Sequence, residues 1–273
     1  MNPVRRPTML IGLAAFSYAF LYFPIVILVL YSFNRDGVGG FPPRHLTFEW
    51  YRALFADASM WSAIGNSVIV ALAAVVISIL IGFPAAYALD RYSFPGKAAF
   101  RRFILLPLIV PGVITGISLL LLVVSAGIHL SLVTVALGHA TALTAVATTE
   151  IFAGFSRLDR SYEEASADLG ASGLQTLRRI ILPLMRTSLL GTALLVFTLS
   201  MDEIAVTFFL IGRENTLPLE IWSRLRRGAT PEMNAISTLI FVFSVVTIFI
   251  SQRLITDRET DLSPTPEISG AAQ

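Results

Sequence analysis

The chain has 273 residues, of which 55% are hydrophobic and only 14% are charged, with a formal net charge of +2. Soluble domains usually carry about 25% charged residues, so this composition excludes an ordinary soluble globular protein and indicates surfaces that face lipid. The small net charge, without a basic stripe among aromatic residues, gives no indication of nucleic-acid binding. Cysteine is absent, which excludes disulfides and thiolate chemistry.

Six apolar segments are long enough to cross a bilayer as helices, which takes about 20 residues. The predicted spans are 9–33, 62–89, 103–126, 130–152, 187–211 and 234–252. Because strict alternation is absent and open sheets cannot span lipid, the predicted fold class is an all-α polytopic membrane protein. The first run follows Arg5 and Arg6, is long for a signal peptide and lacks a cleavage site, so we predict an uncleaved span. Residues 1–255 form the predicted transmembrane domain, and the polar segment 256–273 is a predicted disordered tail.

The basic residues set the predicted orientation. Most of the 20 lysine and arginine residues lie on one side if the N-terminus is cytoplasmic, and the positive-inside rule then places both termini in the cytoplasm. The cluster Arg224, Arg226 and Arg227 opposes this bias. The predicted outer loop 34–61 is expected to hold an interfacial helix around 45–55.

Prolines and glycines punctuate the predicted spans. Pro84, Pro107 and Pro111 can each kink their helix, because proline removes a backbone hydrogen bond. Gly112 and Gly116 form a small-xxx-small pair, which permits close contact between helices. Plain helix packing and a kink that lines an internal path are both open interpretations.

The loop 153–186 is the longest predicted cytoplasmic segment and carries clear helix-boundary signals. Ser161 followed by Glu164 has the spacing of a capping box. Gly170 suits the left-handed end of a first helix over 162–169. An ordered helix in a loop that could be much shorter indicates a docking element.

A second short helix is predicted from Ser172 to about Ile180, and Pro183 is expected to block its smooth continuation into the fifth span. On the first helix, Ala165 and Ser166 are expected to present a small, nearly flat face. The loop is therefore predicted to be a compact helix–turn–helix at the cytoplasmic surface.

The spacing E-A-small-x3-G-x9-I-x-L-P in this loop resembles the signature loop of permease subunits of ATP-driven (ABC) importers. The matching residues are Glu164, Ala165, Ser166 (where alanine is usual), Gly170, Ile180, Leu182 and Pro183. In that family the loop forms a coupling helix that seats in a groove of the ATPase subunit. The resemblance therefore implies a role in ATPase coupling for these residues.

The resemblance covers roughly residues 60–255. Segments 200–203, 217–219 and 231–235 are similar to the second permease of spermidine/putrescine systems. The resemblance implies a bacterial inner-membrane protein. Its implied partners are two copies of an ABC ATPase, a second permease and a periplasmic solute-binding protein. ATP and Mg would be used by the ATPase, with no cofactor on this chain. A permease for another small solute is the alternative within this family.

Two adjacent acids, Asp202 and Glu203, fall inside the predicted fifth span. Each costs about 2–3 kcal/mol at a helix centre, so such residues normally face a cavity or a partner. Adjacent helix positions differ by about 100°, so the two side chains are expected to point apart. One hypothesis is that Asp202 faces a translocation path and attracts an ammonium group while Glu203 pairs with a neighbouring helix or subunit. The other is that both only hold helices together.

Motifs for other functions are absent from the sequence. No G-x-x-x-x-G-K-[ST], H-E-x-x-H or G-x-S-x-G segment occurs, so we predict no catalytic or metal-binding residues, and a membrane-embedded enzyme is a weaker alternative. His129 and His139 have no nearby metal-ligand set and are expected to make hydrogen bonds in helix packing. A secondary transporter would be expected to contain inverted repeats.

Overall fold

The computed structural model describes residues 8–35, 45–228, 230–242 and 245–246. Within them the one β interaction is an isolated bridge between Asn34 and Leu46, so the all-α prediction is confirmed. The helices are α1 Thr8–Tyr31, α2 Glu49–Ala56, α3 Ala58–Arg91, α4 Lys97–Ile109, α5 Gly112–Ser125, α6 Leu132–Phe155, α7 Ser161–Asp168, α8 Gly173–Thr176, α9 Leu182–Met201, α10 Ala205–Leu210, α11 Leu217–Arg227 and α12 231–242, with a π-helical turn Leu177–Ile181 between α8 and α9.

Four of the described helices are long and apolar enough to cross a membrane: α1, α3, α6 and the stretch Gly173–Met201 that ends in α9. The pair α4 and α5 adds a fifth if it is counted as one bent span. The predicted sixth span, 234–252, lies partly outside the described residues, as do Arg5, Arg6 and the whole tail 256–273. Six spans and cytoplasmic termini therefore stay predictions.

The predicted third span, 103–126, is not one helix. Its two halves, α4 and α5, meet at an angle of 102°. Val110 between them is extended, with φ −77° and ψ 126°, which is the conformation that a following proline, here Pro111, favours. Pro107 and Pro84, by contrast, lie inside α4 and α3 without ending them.

The predicted fifth span, 187–211, is also interrupted. Helix α9 ends at Met201 and α10 begins at Ala205. The expectation of one continuous span is therefore wrong at the two acids, which lie in the connection. At its other end the span begins earlier than predicted, because α9 starts at Leu182 and follows the π-helical turn without a gap.

Residues 58–223 form one compact unit with α6 at its centre. Helix α6 packs against α3, α4, α9 and α10, and α3 also packs against α9. Small side chains at these contacts, such as Ala74 and Ala147, let the backbones approach closely, while Ile151, Phe155 and Val196 fill the core between them. The helices that carry both predicted sites thus share one packed core.

Within the described residues, the second unit comprises 8–35, 45–57, 224–228, 230–242 and 245–246. Its predicted interfacial helix is α2, which starts four residues later than expected, at Glu49. The Tyr51 ring packs against the Phe33 ring at a tilt of 36° and a centroid distance of 5.2 Å, and the Trp50 indole donates to the Asn34 carbonyl at 2.9 Å. These contacts hold α2 beside the end of α1.

The glycine pair predicted to allow close helix contact does so. A Cβ on Gly116 would lie 2.7 Å from Phe209 Cδ2 and 3.1 Å from the Ala205 carbonyl oxygen, both on α10. Gly116→Ala is expected to lower stability by about 1–3 kcal/mol, since a backbone neighbour leaves little room for adjustment. Gly65→Ala is the control because nothing lies within 4 Å of its Cβ position. The midpoint of thermal unfolding in detergent measures both, and equal midpoints would contradict this packing.

Candidate functional site

The connection between α9 and α10 contains the acidic pair. The Glu203 carboxylate accepts a hydrogen bond from the Val206 backbone N–H at 2.9 Å, and the Thr207 hydroxyl donates to the Glu203 carbonyl at 2.9 Å. Glu203 therefore caps the N-terminus of α10, where unpaired N–H groups and the helix dipole favour a negative charge. Both of its partners belong to its own chain, three and four residues further on.

His139 of α6 holds the two ends of the interruption together. Its ring is 2% exposed, with Nδ1 2.8 Å from the Ser200 hydroxyl and Nε2 2.8 Å from the Thr207 hydroxyl. Ser200 belongs to the last turn of α9 and Thr207 to α10. The hydrogen-bonding role expected for His139 is confirmed. In addition, its two bonds connect the end of α9 to α10 across the interruption.

The interruption of the fifth predicted span lies against the bend of the third. A Cβ on Gly112, the first residue of α5, would be 3.2 Å from the Ala205 Cβ and 3.8 Å from the Glu203 carboxylate. The N-termini of α5 and α10 therefore meet close to one carboxylate. Both ends carry partial positive charge, which attracts the Glu203 carboxylate.

Asp202 differs from its neighbour. It is exposed and forms the C-terminal boundary of α9, and its carboxylate has no hydrogen bond or ion pair within the described part of the chain. The expected angular separation of Asp202 and Glu203 assumed a continuous helix, and that assumption is wrong because α9 ends at Met201. The backbone of the connection, rather than the helical period, sets the two directions.

In the loop 153–186 the first predicted helix is present as α7. Gly170 has φ +79°, and its N–H donates to the Ala167 carbonyl at 2.9 Å, so the predicted left-handed ending is confirmed. The predicted cap at Ser161 is wrong, because Ser161 is the first helical residue and its N–H donates to the Asp159 carboxylate at 2.9 Å. That backbone hydrogen bond holds the pKa of Asp159 below its usual range.

The second predicted helix begins as expected and ends differently. Ser172 and Gln175 form a capping box at the start of α8. The helix does not stop near Ile180, and Pro183 does not block the path into α9. A π-helical turn intervenes, in which the Leu182 N–H donates to the Leu177 carbonyl. This wider turn precedes the first turn of α9, where a proline without an N–H is tolerated.

The predicted coupling residues do not share one face. Ser166 is buried and bonds the Thr176 hydroxyl at 2.9 Å, so it joins α7 to α8 instead of adding to an exposed flat face as expected. Ala165 is exposed. A groove of about 780 Å³ beside α7 is lined by Ser161, Tyr162, Ala165, Ser166, Leu169, Gly170, Ala171, Gln175, Arg179 and Ile180. Glu164, Leu182 and Pro183 are exposed but do not line this groove.

Two features of the loop were missed by sequence reasoning. Leu169 and Leu174 expose 88% and 64% of their surface, and their apolar character in a polar loop was a readable signal of a docking surface. The other is an ion cluster at the end of α3, where Arg91 contacts Glu163 at 2.7 Å. No local pattern links residues so far apart in the chain.

This arrangement of helices is the fold of the membrane-spanning subunits of ABC transporters. A chain of a bacterial ABC transporter involved in the import of the acidic polysaccharide alginate has the same fold, with a TM-score of 0.69 at 18% identity over 94% of this chain and 99% of that chain.

The chain belongs to the family of binding-protein-dependent transport system inner membrane components, which matches residues 78–259. It is 38% identical over 236 residues to the spermidine/putrescine transport system permease protein PotC of Haemophilus influenzae, covering 86% of this chain and 91% of that protein. It is 37% identical over 250 residues to the putrescine transport system permease protein PotI of Escherichia coli K12, covering 87% of each. It is thus a multi-pass permease subunit of an ABC importer, as the signature loop implied.

His139→Leu tests the polar cluster at the interruption. The change leaves the buried Ser200 and Thr207 hydroxyls without their ring partner, and we expect a loss of about 1–3 kcal/mol in stability, the cost of leaving a buried polar group unpaired. Thr141→Val is the matched control on α6, since that exposed hydroxyl bonds only the Leu137 carbonyl of its own helix at 2.9 Å. Thermal unfolding in detergent should separate the two variants. Equal midpoints would show that His139 does not hold the interruption.

Proposed function

We propose that this permease moves a small polycationic solute, of the spermidine and putrescine class, into the cytoplasm. The observation that carries the proposal is the exposed Asp202 carboxylate at the interruption of the fifth predicted span. Relatives of 38% and 37% identity bear the names of spermidine/putrescine and putrescine permeases. An importer of anions is disfavoured because an unpaired carboxylate at this position would repel its solute.

The local electrostatics support a cation contact at Asp202. The residue lies at the C-terminal end of α9, where free carbonyl groups and the helix dipole add partial negative charge to that of the carboxylate. Glu203 is already engaged by α10. Broken helices whose C-terminal ends and unwound carbonyls face a cavity are used by membrane transporters to bind cations. Asp202 is therefore the assigned ammonium contact, and Glu203 keeps the backbone beside it in place.

The α7–α8 segment is the proposed docking element for the ATPase. Its exposed surface combines Ala165, Leu169 and Gly170, which line the groove, with the exposed apolar side chain of Leu174. Glu164, Ser166, Ile180, Leu182 and Pro183 complete the signature, with Ser166 acting from inside by joining the two helices.

The proposed cycle assigns chemistry to other chains. A periplasmic solute-binding protein delivers the solute, which agrees with the family's dependence on a binding protein. This chain and a second permease form the path across the bacterial inner membrane. Two ATPase copies bind ATP and Mg, and their closure moves the α7–α8 segment. This chain holds no cofactor and catalyses no reaction, and its termini lie in the cytoplasm.

Asp202→Asn tests the solute contact. Removing the charge should raise the KM for putrescine uptake by about 10-fold or more, the loss expected for one charge-assisted hydrogen bond, while basal ATPase activity stays near that of the unchanged complex. Glu214→Gln is the control because Glu214 is an exposed acid of the same unit. Uptake by reconstituted complexes in liposomes measures both. An unchanged KM in Asp202→Asn would remove Asp202 from the path.

Gly170→Asp tests the docking element. The change adds a charge at the groove and places a side chain at φ +79°, a conformation that costs about 1–2 kcal/mol. We expect uptake to be lost while the protein still reaches the membrane. Gly96→Asp is the control because Gly96 has φ +83° with open space around it and lies between α3 and α4. Full uptake in Gly170→Asp, or equal loss in Gly96→Asp, would contradict a docking role for this surface.

A further inference from the structure

We propose that Arg91 is a positioning residue that fastens the α7–α8 segment to the end of α3, so that its motion reaches α3 as well as α9. The inference rests on the proposed docking function of that segment. Arg91 lies outside the signature loop. It lies beside three charged side chains, Asp90 of α3 and Arg160 and Glu163 of the loop.

One guanidinium joins both segments. Arg91 Nε donates to the Glu163 carboxylate of α7 at 2.7 Å, and Nη2 donates to the Leu158 carbonyl ahead of α7 at 3.5 Å. Nη1 pairs with Asp90 of α3 itself. The guanidinium carbon also lies 5.6 Å from the centre of the Phe155 ring at the end of α6. Arg91 thus contacts α3, α6 and the segment before and within α7.

A second arginine makes the reciprocal contact. Arg160 Nη2 donates to the backbone carbonyl of Asp90 at 2.9 Å, and it lies 3.8 Å from the Asp90 carboxylate. One arginine therefore reaches from α3 to the loop, and the other reaches from the loop to α3. Two contacts in opposite directions restrict sliding between the elements more than either alone.

Burial makes this cluster rigid. The side chains of Arg91, Asp90 and Glu163 are only 7%, 10% and 19% exposed. An ion pair this shielded from water is weakly screened, and removing one partner leaves an uncompensated charge. The planar guanidinium also fixes the directions of its hydrogen bonds, whereas a lysine ammonium does not.

The cluster supplies a second route for motion. Helix α7 packs against α8 and the π-helical turn, which lead directly into α9. Through Arg91 it is also joined to α3, which packs against both α6 and α9. Displacement of α7 would then move the bundle of α3, α6 and α9 as a body. Without the cluster, the displacement would reach α3 only indirectly, through the packing of α3 against α9 and α6.

The test uses spin labels on the complete transporter. Because the chain has no cysteine, single cysteines at the exposed positions Ser93 and Ala167 can be labelled without other changes to this subunit. Pulsed electron spin resonance gives the distance between the labels in the nucleotide-free and vanadate-trapped states. We expect one narrow distance, the same in both states, with Arg91 present. In Arg91→Gln the distribution should broaden and shift between states.

Transport supplies the functional readout. In Arg91→Gln, putrescine moved per ATP hydrolysed should fall by about tenfold, within the range for residues along a coupling network, while ATPase activity persists. Arg91→Lys should show an intermediate loss, since one ammonium does not reach Glu163, Asp90 and Leu158 together. Arg101→Gln is the control, because Arg101 stacks on Phe152 of α6 at 5.5 Å and bonds no loop residue within the described chain.

The outcomes separate the two proposals. An unchanged distance and unchanged transport per ATP in Arg91→Gln would overturn the role of Arg91, as would equal losses in Arg101→Gln. Glu163→Ala should reproduce the loss, and it replaces Arg91→Gln if that variant does not assemble. A rigid label distance together with full uptake in Gly170→Asp would refute the docking function and leave the α3–α7 connection in place.

Discussion

In hydrocarbon every backbone N–H and C=O must find a partner in the protein, so each interruption of a spanning helix has to be stabilised by side chains. This chain interrupts two predicted spans, at Val110–Pro111 and at Asp202–Ile204. At the second interruption the Glu203 carboxylate and the Thr207 hydroxyl bond backbone groups, and the His139 ring bonds the Thr207 hydroxyl in turn. This need for backbone partners also separates the two acids. Glu203 is used to bond the backbone, whereas the Asp202 carboxylate makes no such bond within the described residues.

The stretch from Gly173 to Met201 connects the two predicted sites. It contains 29 residues and would extend about 40 Å as a regular helix. One end belongs to the segment proposed to meet the ATPase, and the other stops at Asp202. A π-helical turn at Leu177–Ile181 keeps this connection unbroken despite Pro183. Displacement at the loop therefore reaches the acidic connection through one element packed against α3 and α6.

Much of the fold was predictable because hydropathy reports the length of apolar segments, and α1, α3 and α6 agree with it. The two interruptions were not predictable from hydropathy. The apolar composition continues through Val110 and beyond Glu203, although the backbone changes direction at both places. Local sequence signals predicted helix boundaries correctly where a single turn determines them, as at the end of α7 (Gly170) and the start of α8 (Ser172). They failed at Ser161, where a nearer acceptor, Asp159, took the backbone N–H. The pairing of Arg91 with Glu163 is tertiary, and a single sequence contains no direct sign of it.

In the proposed cycle, a shift of α9 acts on the solute through the positions of Asp202 and Glu203. Asp202 moves with the end of α9, whereas Glu203 is fastened to α10 by its side chain and carbonyl. The peptide connection between them is where the two helices can change their relative direction. A small rotation there moves the Asp202 carboxylate while the Glu203 charge stays against the starts of α5 and α10. With Asp202 as the proposed ammonium contact, this movement changes the distance between its carboxylate and the bound ammonium group, and Coulomb energy varies inversely with that distance.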